Sequence, residues 1–270
     1  MEKFTLNNGK EIPVLGIGTN TFGKKDGDFE AEITMDTTEL QTAIAAGYRL
    51  IDTAIMYRNE AVIGKAVNES SLPREAFFIT SKIPNKEEFI KDDAAVQAAI
   101  DFSLKELALD YMDLYLIHHP WDDVADMLRV WRVLEKNVQA GKIKSIGVSN
   151  FSNEQLGYLL DHATIKPAVN QIQSHPDDWN DDLVAYCLDQ GVLPQAWGPL
   201  KRISEHSMQK IVALESKYNK TWAQIILNYQ INRGVNVIPK SHNADRQKQN
   251  LEIFDFKLTA EDQALLKSLK

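Results

Sequence analysis

The stretch 94-AAVQAAIDFSLKELALDYMDLYLIHHP-120 changes rhythm half-way along. In its first part Val96, Ile100, Leu104 and Leu107 recur at spacings of three and four, which predicts an amphipathic helix. The second part, 112-MDLYLIHH-119, is a short apolar run that ends in two histidines and stops at Pro120, and it reads as a strand. The same alternation recurs along the chain. Strand-like runs stand at 15-LGIGT-19, 50-LIDTA-54, 77-FFITSKI-83, 143-IKSIGVSN-150, 168-AVNQIQS-174, 193-LPQAW-197 and 235-VNVIPK-240, with helical segments between them. Gly47, Gly141, Gly191 and Gly234 each stand just before the next strand, as helix-stop signals do. Strands separated by helices pair in parallel, and eight of them in about 250 residues is the usual size of a (β/α)8 TIM barrel. Ahead of the first one, Asn8-Gly9 in 4-FTLNNGKEIPVL-15 signals a β-hairpin that closes one end of the barrel. No linker or repeat interrupts the pattern, so residues 1–270 read as one domain. A doubly wound sheet is the competing architecture, but 16-GIGTNTFG-23 misplaces the third glycine of a dinucleotide fingerprint and opens no helix.

Composition restricts the partners. The 270 residues, 44% of them hydrophobic, suffice for a sizeable core, and the formal charge of −8 without a Lys/Arg-rich run disfavours nucleic acid and anionic membrane. There is no signal-like start and no apolar run of about 18 residues. The lone cysteine, Cys187, forms no internal disulfide and fits a reducing, cytoplasmic setting. The expected form is a monomer.

In a barrel of this kind chemistry collects at the C-terminal strand ends. There the sequence sets Asp52, Tyr57, Lys82 and the pair His118 and His119. A free tyrosine, with a pKa of about 10, is a reluctant acid near neutrality. A lysine ammonium beside it stabilises the phenolate, an aspartate holds the ammonium, and a neutral histidine orients a carbonyl oxygen for protonation. Any one of these residues alone is an ordinary strand-end cap; the combination is what points to chemistry. His118 and His119 suggest a metal at first sight, but no HExxH or Cys-His cluster supplies further ligands, so none is expected. Strand alternation also predicts that the two rings point to opposite faces.

The blocks 47-GYRLIDTAIMYRNEAVIG-64, 80-TSK-82, 116-LIHHP-120, 147-GVSNF-151, 169-VNQIQSHP-176 and 238-IPKS-241 span nearly the whole chain in order, and in them it resembles the aldo-keto reductases. The resemblance implies a barrel that binds a nicotinamide cofactor without a dinucleotide-binding fold. It makes Asp52, Tyr57, Lys82 and His118 the catalytic four of an NADPH-dependent reductase of small carbonyl compounds. Ser149, Asn150 and Gln171 would clamp the nicotinamide amide, with Trp197 stacked on the ring in the place of a common tyrosine. Thr19, Gly198 and Leu200 join the cofactor-binding set, Gly198 in the place of a serine. Lys240, Ser241, Asn243 and Arg246 would grip the adenosine 2′-phosphate, so NADPH is expected over NADH, and Gln249 and Asn250 would meet the adenine. Asn20, Met56, Pro84 and His119 are the expected substrate pocket, polar and open enough for varied small aldehydes and ketones. Two rivals stay open: a Schiff-base lyase in which Lys82 attacks a carbonyl, and a non-catalytic nicotinamide-binding sensor or subunit.

Overall fold

Strands β1 (Lys3–Thr5) and β2 (Glu11–Pro13) pair antiparallel, Phe4 opposite Ile12, around a turn in which Gly9 takes a positive φ of 78°. That conformation suits glycine, which has no Cβ to clash. Eight parallel strands follow: β3 (Gly16–Gly18), β4 (Leu50–Asp52), β5 (Phe78–Ile83), β6 (Met112–Ile117), β7 (Ile143–Ser149), β8 (Val169–Gln173), β9 (Leu193–Trp197) and β10 (Asn236–Ile238). They neighbour one another in chain order. The ring closes where Leu15 bridges Val237 and the Gly18 amide donates to Pro239 O at 3.1 Å. The computed structural model describes residues 2–269, and the expected (β/α)8 barrel is the architecture found.

Strand ends lie within two residues of the sequence reading, and β9 matches it at both ends. The largest shortening is at 235-VNVIPK-240, where the strand stops at Ile238 because Pro239 has no N–H to continue the ladder. The helix expected over 94–109 runs from Asp93 to Leu107, with the Asp92 side chain capping the Ala95 amide and Ala108 in the left-handed conformation at its end. The terminal helix spans Ala260–Lys267, while Lys270, part of the segment read as helical, lies outside the described residues.

Two apolar layers result from strand alternation. Ile51, Ile79, Ile83, Ile146 and Val148 pack outward under the helices. Leu50, Phe78, Leu114, Leu116, Val169 and Leu193 fill the barrel interior together with Leu6 and Ile12 of the hairpin. Asn7 Nδ2 donates to Pro167 O at 2.8 Å and Asn8 Nδ2 to Ser145 Oγ at 2.9 Å. The hairpin therefore closes the N-terminal end, and the C-terminal end is left for polar groups.

Helix Glu60–Glu69 packs closely against helix Asp93–Leu107: a Cβ on Gly64 would stand 2.1 Å from Leu107 O. In an open helix Gly→Ala would stabilise by about 1 kcal/mol. Here Gly64→Ala is expected to destabilise the fold by roughly 1–3 kcal/mol through overpacking. Thermal unfolding would read this as a lowered Tm, and an unchanged or raised Tm would refute the close approach.

Candidate active site

The parallel register places the site. Asp52 ends β4 beside Thr80 of β5, and two residues further along β5 the inward position is Lys82. Lys82 is fully buried, and its ammonium donates to Asp52 Oδ1 at 2.7 Å and to Thr53 O at 2.8 Å. Tyr57 follows in a short 3-10 turn, Ile55–Tyr57, which Arg58 terminates in the left-handed conformation. Buried Asn59 ties that turn down: its Nδ2 donates to Thr19 O and Phe22 O, and its Oδ1 accepts from Thr53 Oγ1. Tyr57 Oη thereby stands 3.5 Å from Lys82 Nζ, a separation at which charge counts for more than the hydrogen bond. The His118 ring meets Tyr57 edge-on with centroids 5.5 Å apart.

The electrostatics correct one expectation. Lys82 was expected to bring Tyr57 below its ordinary pKa. Burial is the larger effect and raises it; Lys82 lowers it, and Asp52 adds to the rise, so the hydroxyl keeps its proton more firmly than a free tyrosine. Burial also opposes the charge of Lys82, but Asp52 and Tyr57 outweigh it and hold the ammonium above its usual value. His118 is pushed down to about 2 by burial, then by the positive charge of Lys82, so its ring is neutral. Its Nδ1 is buried without a hydrogen-bond partner.

A second expectation also fails. The two histidines were expected to point to opposite faces. Instead their rings stack, with centroids 4.7 Å apart and an interplanar angle of 10°, and both line one cavity. Strand β6 ends at Ile117, so alternation no longer governs the next residues. Asn150 binds the pair, donating to His118 O and contacting His119 Nδ1 at 3.2 Å.

That cavity brings together Asp52, Tyr57, His118 and His119 with Ser149, Asn150, Gln171, Trp197, Gly198 and Lys240, and with Thr19 and Asn20. Trp197 Nε1 donates to Asn150 Oδ1 at 2.9 Å and Gln171 Nε2 to Asp52 Oδ2 at 2.8 Å. Met56 lies elsewhere, in a neighbouring cavity with Phe29, Phe89 and Phe102, and Pro84 is buried outside both cavity linings. Lys82 and Leu200 do not line the site cavity either. Ser241, Asn243, Arg246, Gln249 and Asn250 follow beyond Lys240 around helix Ala244–Leu251, where the Asn243 side chain caps the Arg246 amide. No group of three or more His, Cys, Asp or Glu able to hold a metal occurs among the described residues.

The sequence reading missed several residues. Lys201 also lines the cavity. Gln195 accepts from Gln171 Nε2 at 2.6 Å and donates to Asn236 Oδ1 at 2.7 Å, and a polar residue inside an apolar strand was the signal for it. Glu60 is buried, accepts from Ser81 Oγ at 2.5 Å and is raised to about 7, first by burial.

A barrel whose strand ends set a lysine-backed tyrosine beside a neutral histidine, with a cationic mouth, is of the class suited to acid–base work on a carbonyl next to a nicotinamide. Comparison gives the particular family. The sequence profile described as the Aldo/keto reductase family matches residues 14–270. Glyoxal reductase of Bacillus subtilis is 42% identical over 258 residues, covering 95% of this chain and 88% of that protein. The crystal structure of an aldo/keto reductase from Brucella melitensis superposes with a TM-score of 0.91 at 36% identity, over 100% of this chain and 99% of that one. An aldo-keto reductase of Bombyx mori solved in complex with NADP superposes with a TM-score of 0.86 at 35% identity, covering 98% and 91%. The chain belongs to the aldo/keto reductase family.

Because burial and Lys82 both disfavour the protonated ring, the imidazole of His118 should not titrate between about pH 5 and 8, where a free histidine with a pKa near 6.5 does. NMR of the histidine ring resonances, assigned with His118→Asn, would check this; a midpoint near 6.5 would overturn it.

Proposed function

We propose that the protein is an NADPH-dependent reductase of small aldehydes and ketones, in which Tyr57 gives the proton. The observation that carries the proposal is that Asp52, Tyr57 and His118 line the cavity that Trp197 and Lys240 also line, with the buried Lys82 ammonium behind them against Asp52 and Tyr57. The donor set suits the cofactor. Ser149, Asn150 and Gln171 offer hydroxyl and amide groups to a carboxamide, Trp197 offers a flat face, and Lys240 with Lys201 offers positive charge to phosphate. Beyond the cavity, Ser241, Asn243 and Arg246 stand at a helix N-terminus, which adds to such a phosphate site. Gln249 and Asn250 remain the proposed neighbours of adenine.

When bound, the nicotinamide supplies the hydride that adds to the carbonyl carbon. Neutral His118 orients the carbonyl oxygen, and Tyr57 transfers its proton to that oxygen as negative charge develops there. Its raised pKa keeps the proton present at neutral pH until substrate arrives. The tyrosinate left behind faces the Lys82 ammonium, which Asp52 holds in place. A lyase using Lys82 as a nucleophile fits less well, because that nitrogen is fully buried, charged and engaged by Asp52 and Thr53.

Asn20 and His119 set the polar edge of the cavity, so substrates are small, and the α-dicarbonyl named for the Bacillus subtilis relative belongs to the proposed range. We place this activity in one domain over residues 1–270, monomeric and cytoplasmic; no helix among the described residues is long and apolar enough to cross a membrane.

Tyr57→Phe should lower kcat by about 10²–10⁴ while leaving the NADPH dissociation constant nearly unchanged. Turnover by this variant near the wild-type rate would remove Tyr57 as the proton donor. In a carbonyl panel with both cofactors, small aldehydes and glyoxal should be reduced faster with NADPH than with NADH, and bulky steroid ketones poorly. A steroid preference would overturn the reading of the pocket.

A further inference from the structure

Three segments far apart in the chain meet beside Lys240. Lys240 Nζ donates to Thr21 Oγ1 at 2.8 Å, Thr21 Oγ1 lies 2.7 Å from His242 Nε2, and His242 Nδ1 lies 2.5 Å from Glu39 Oε1. Thr21 follows β3, Glu39 lies in the first turn of helix Thr38–Ala46, and His242 follows β10. The chemistry of the end members sets the direction of the chain. An ammonium can only donate and a carboxylate only accept. Thr21 therefore accepts from Lys240; with the ring neutral, its own proton goes to His242 Nε2 and Nδ1–H goes to Glu39. Each group is used once, and the histidine tautomer follows from its partners.

The ring itself is fixed. The Phe22 ring packs against it with centroids 5.1 Å apart, and a Cβ on Gly27 would stand 3.3 Å from its Cε1. Gln247 Nε2 binds the two flanking segments together by donating to Glu39 O and Ser241 O. Thr21 is buried, so its hydroxyl has little water to turn to. Of the four groups, Lys240 lines the cavity.

We infer that Thr21, His242 and Glu39 form a relay that positions the Lys240 ammonium for the 2′-phosphate, making them specificity-determining residues for NADPH over NADH. The inference rests on the NADPH reading above. An untethered lysine side chain must lose rotamer freedom when it meets a phosphate, and here that ordering is already done in the free protein. The carboxylate at the far end polarises the chain, so that Thr21 Oγ1 becomes a better acceptor for Lys240. These residues touch no part of the reacting centre; they act through Lys240.

The test is direct binding of each cofactor to the full chain, followed by quenching of tryptophan fluorescence. Thr21→Val, which keeps the shape and removes the hydroxyl, and His242→Ala should each raise the NADPH dissociation constant roughly three- to tenfold, the net worth of one ordinary hydrogen bond. The NADH constant should stay within about twofold, since NADH has no 2′-phosphate for Lys240 to meet. Thr21→Ser should restore the NADPH preference, which a merely structural role for the threonine methyl would not permit. Lys240→Ala serves as the reference. If it weakens NADPH selectively while Thr21→Val and His242→Ala do not, the relay is wrong and the cofactor reading stands. If Lys240→Ala affects both cofactors equally, the 2′-phosphate reading itself fails.

Discussion

The Lys82–Asp52 ion pair is the constraint around which the upper half of the barrel is arranged. Both side chains are almost wholly out of water, at 0% and 3% exposure. Two isolated charges so placed would each cost several kcal/mol, and their attraction offsets this only if the remaining donors and acceptors are also satisfied. The structure meets that condition. Lys82 finds Thr53 O as well as Asp52 Oδ1, and the second carboxylate oxygen accepts from Gln171 Nε2. Replacing either charge would leave the other buried and unpaired, which is a larger loss than the pair's own net stabilisation.

Satisfying Asp52 commits further residues, and strand register selects them. Gln171, Gln195 and Asn236 stand directly opposite one another on β8, β9 and β10. Their side chains point inward together and form an amide row, each linked to the next, that ends with Asn236 Nδ2 donating to Pro13 O at 2.6 Å. A shift of one residue in any of these strands would turn its amide toward the helices and leave a neighbour unsatisfied. The polar layer thus specifies register, while the apolar layer beneath it, closed by Leu6 and Ile12, supplies the burial that stabilises the barrel.

This division explains what could be read from sequence. Barrel strands are buried on both faces, so their apolar runs and the helix periods between them were visible, and so were polar residues at strand ends. Reading failed where local pattern gives way to tertiary geometry. Alternation was carried from β6 into His119, although the strand had already ended. The shift of Tyr57 depends on how deeply its ring is enclosed, which residue types do not disclose. Met56 neighbours Tyr57 in sequence yet faces another cavity, because the 3-10 turn rotates successive side chains apart. The Thr21–His242–Glu39 contacts join residues some 200 positions apart, and no spacing rule reaches that far.

Rigidity at the site is uneven, and that bears on selectivity. Tyr57 is fixed from several directions: Asn59 anchors its turn to two backbone carbonyls, Arg58 donates to Phe29 O, and the Phe29 ring meets it edge-on at 6.2 Å. His118 is wedged between Tyr57 and His119. On the reading proposed above, the proton donor and the orienting group are preorganised, so little binding energy is needed to assemble them. The cavity is also lined by exposed His119 and by half-buried Asn20, which present polar groups to a substrate. Remote binding energy is then small, and a carbonyl must react on the strength of its own electrophilicity. On the proposed reading, small activated aldehydes meet that requirement better than large ketones.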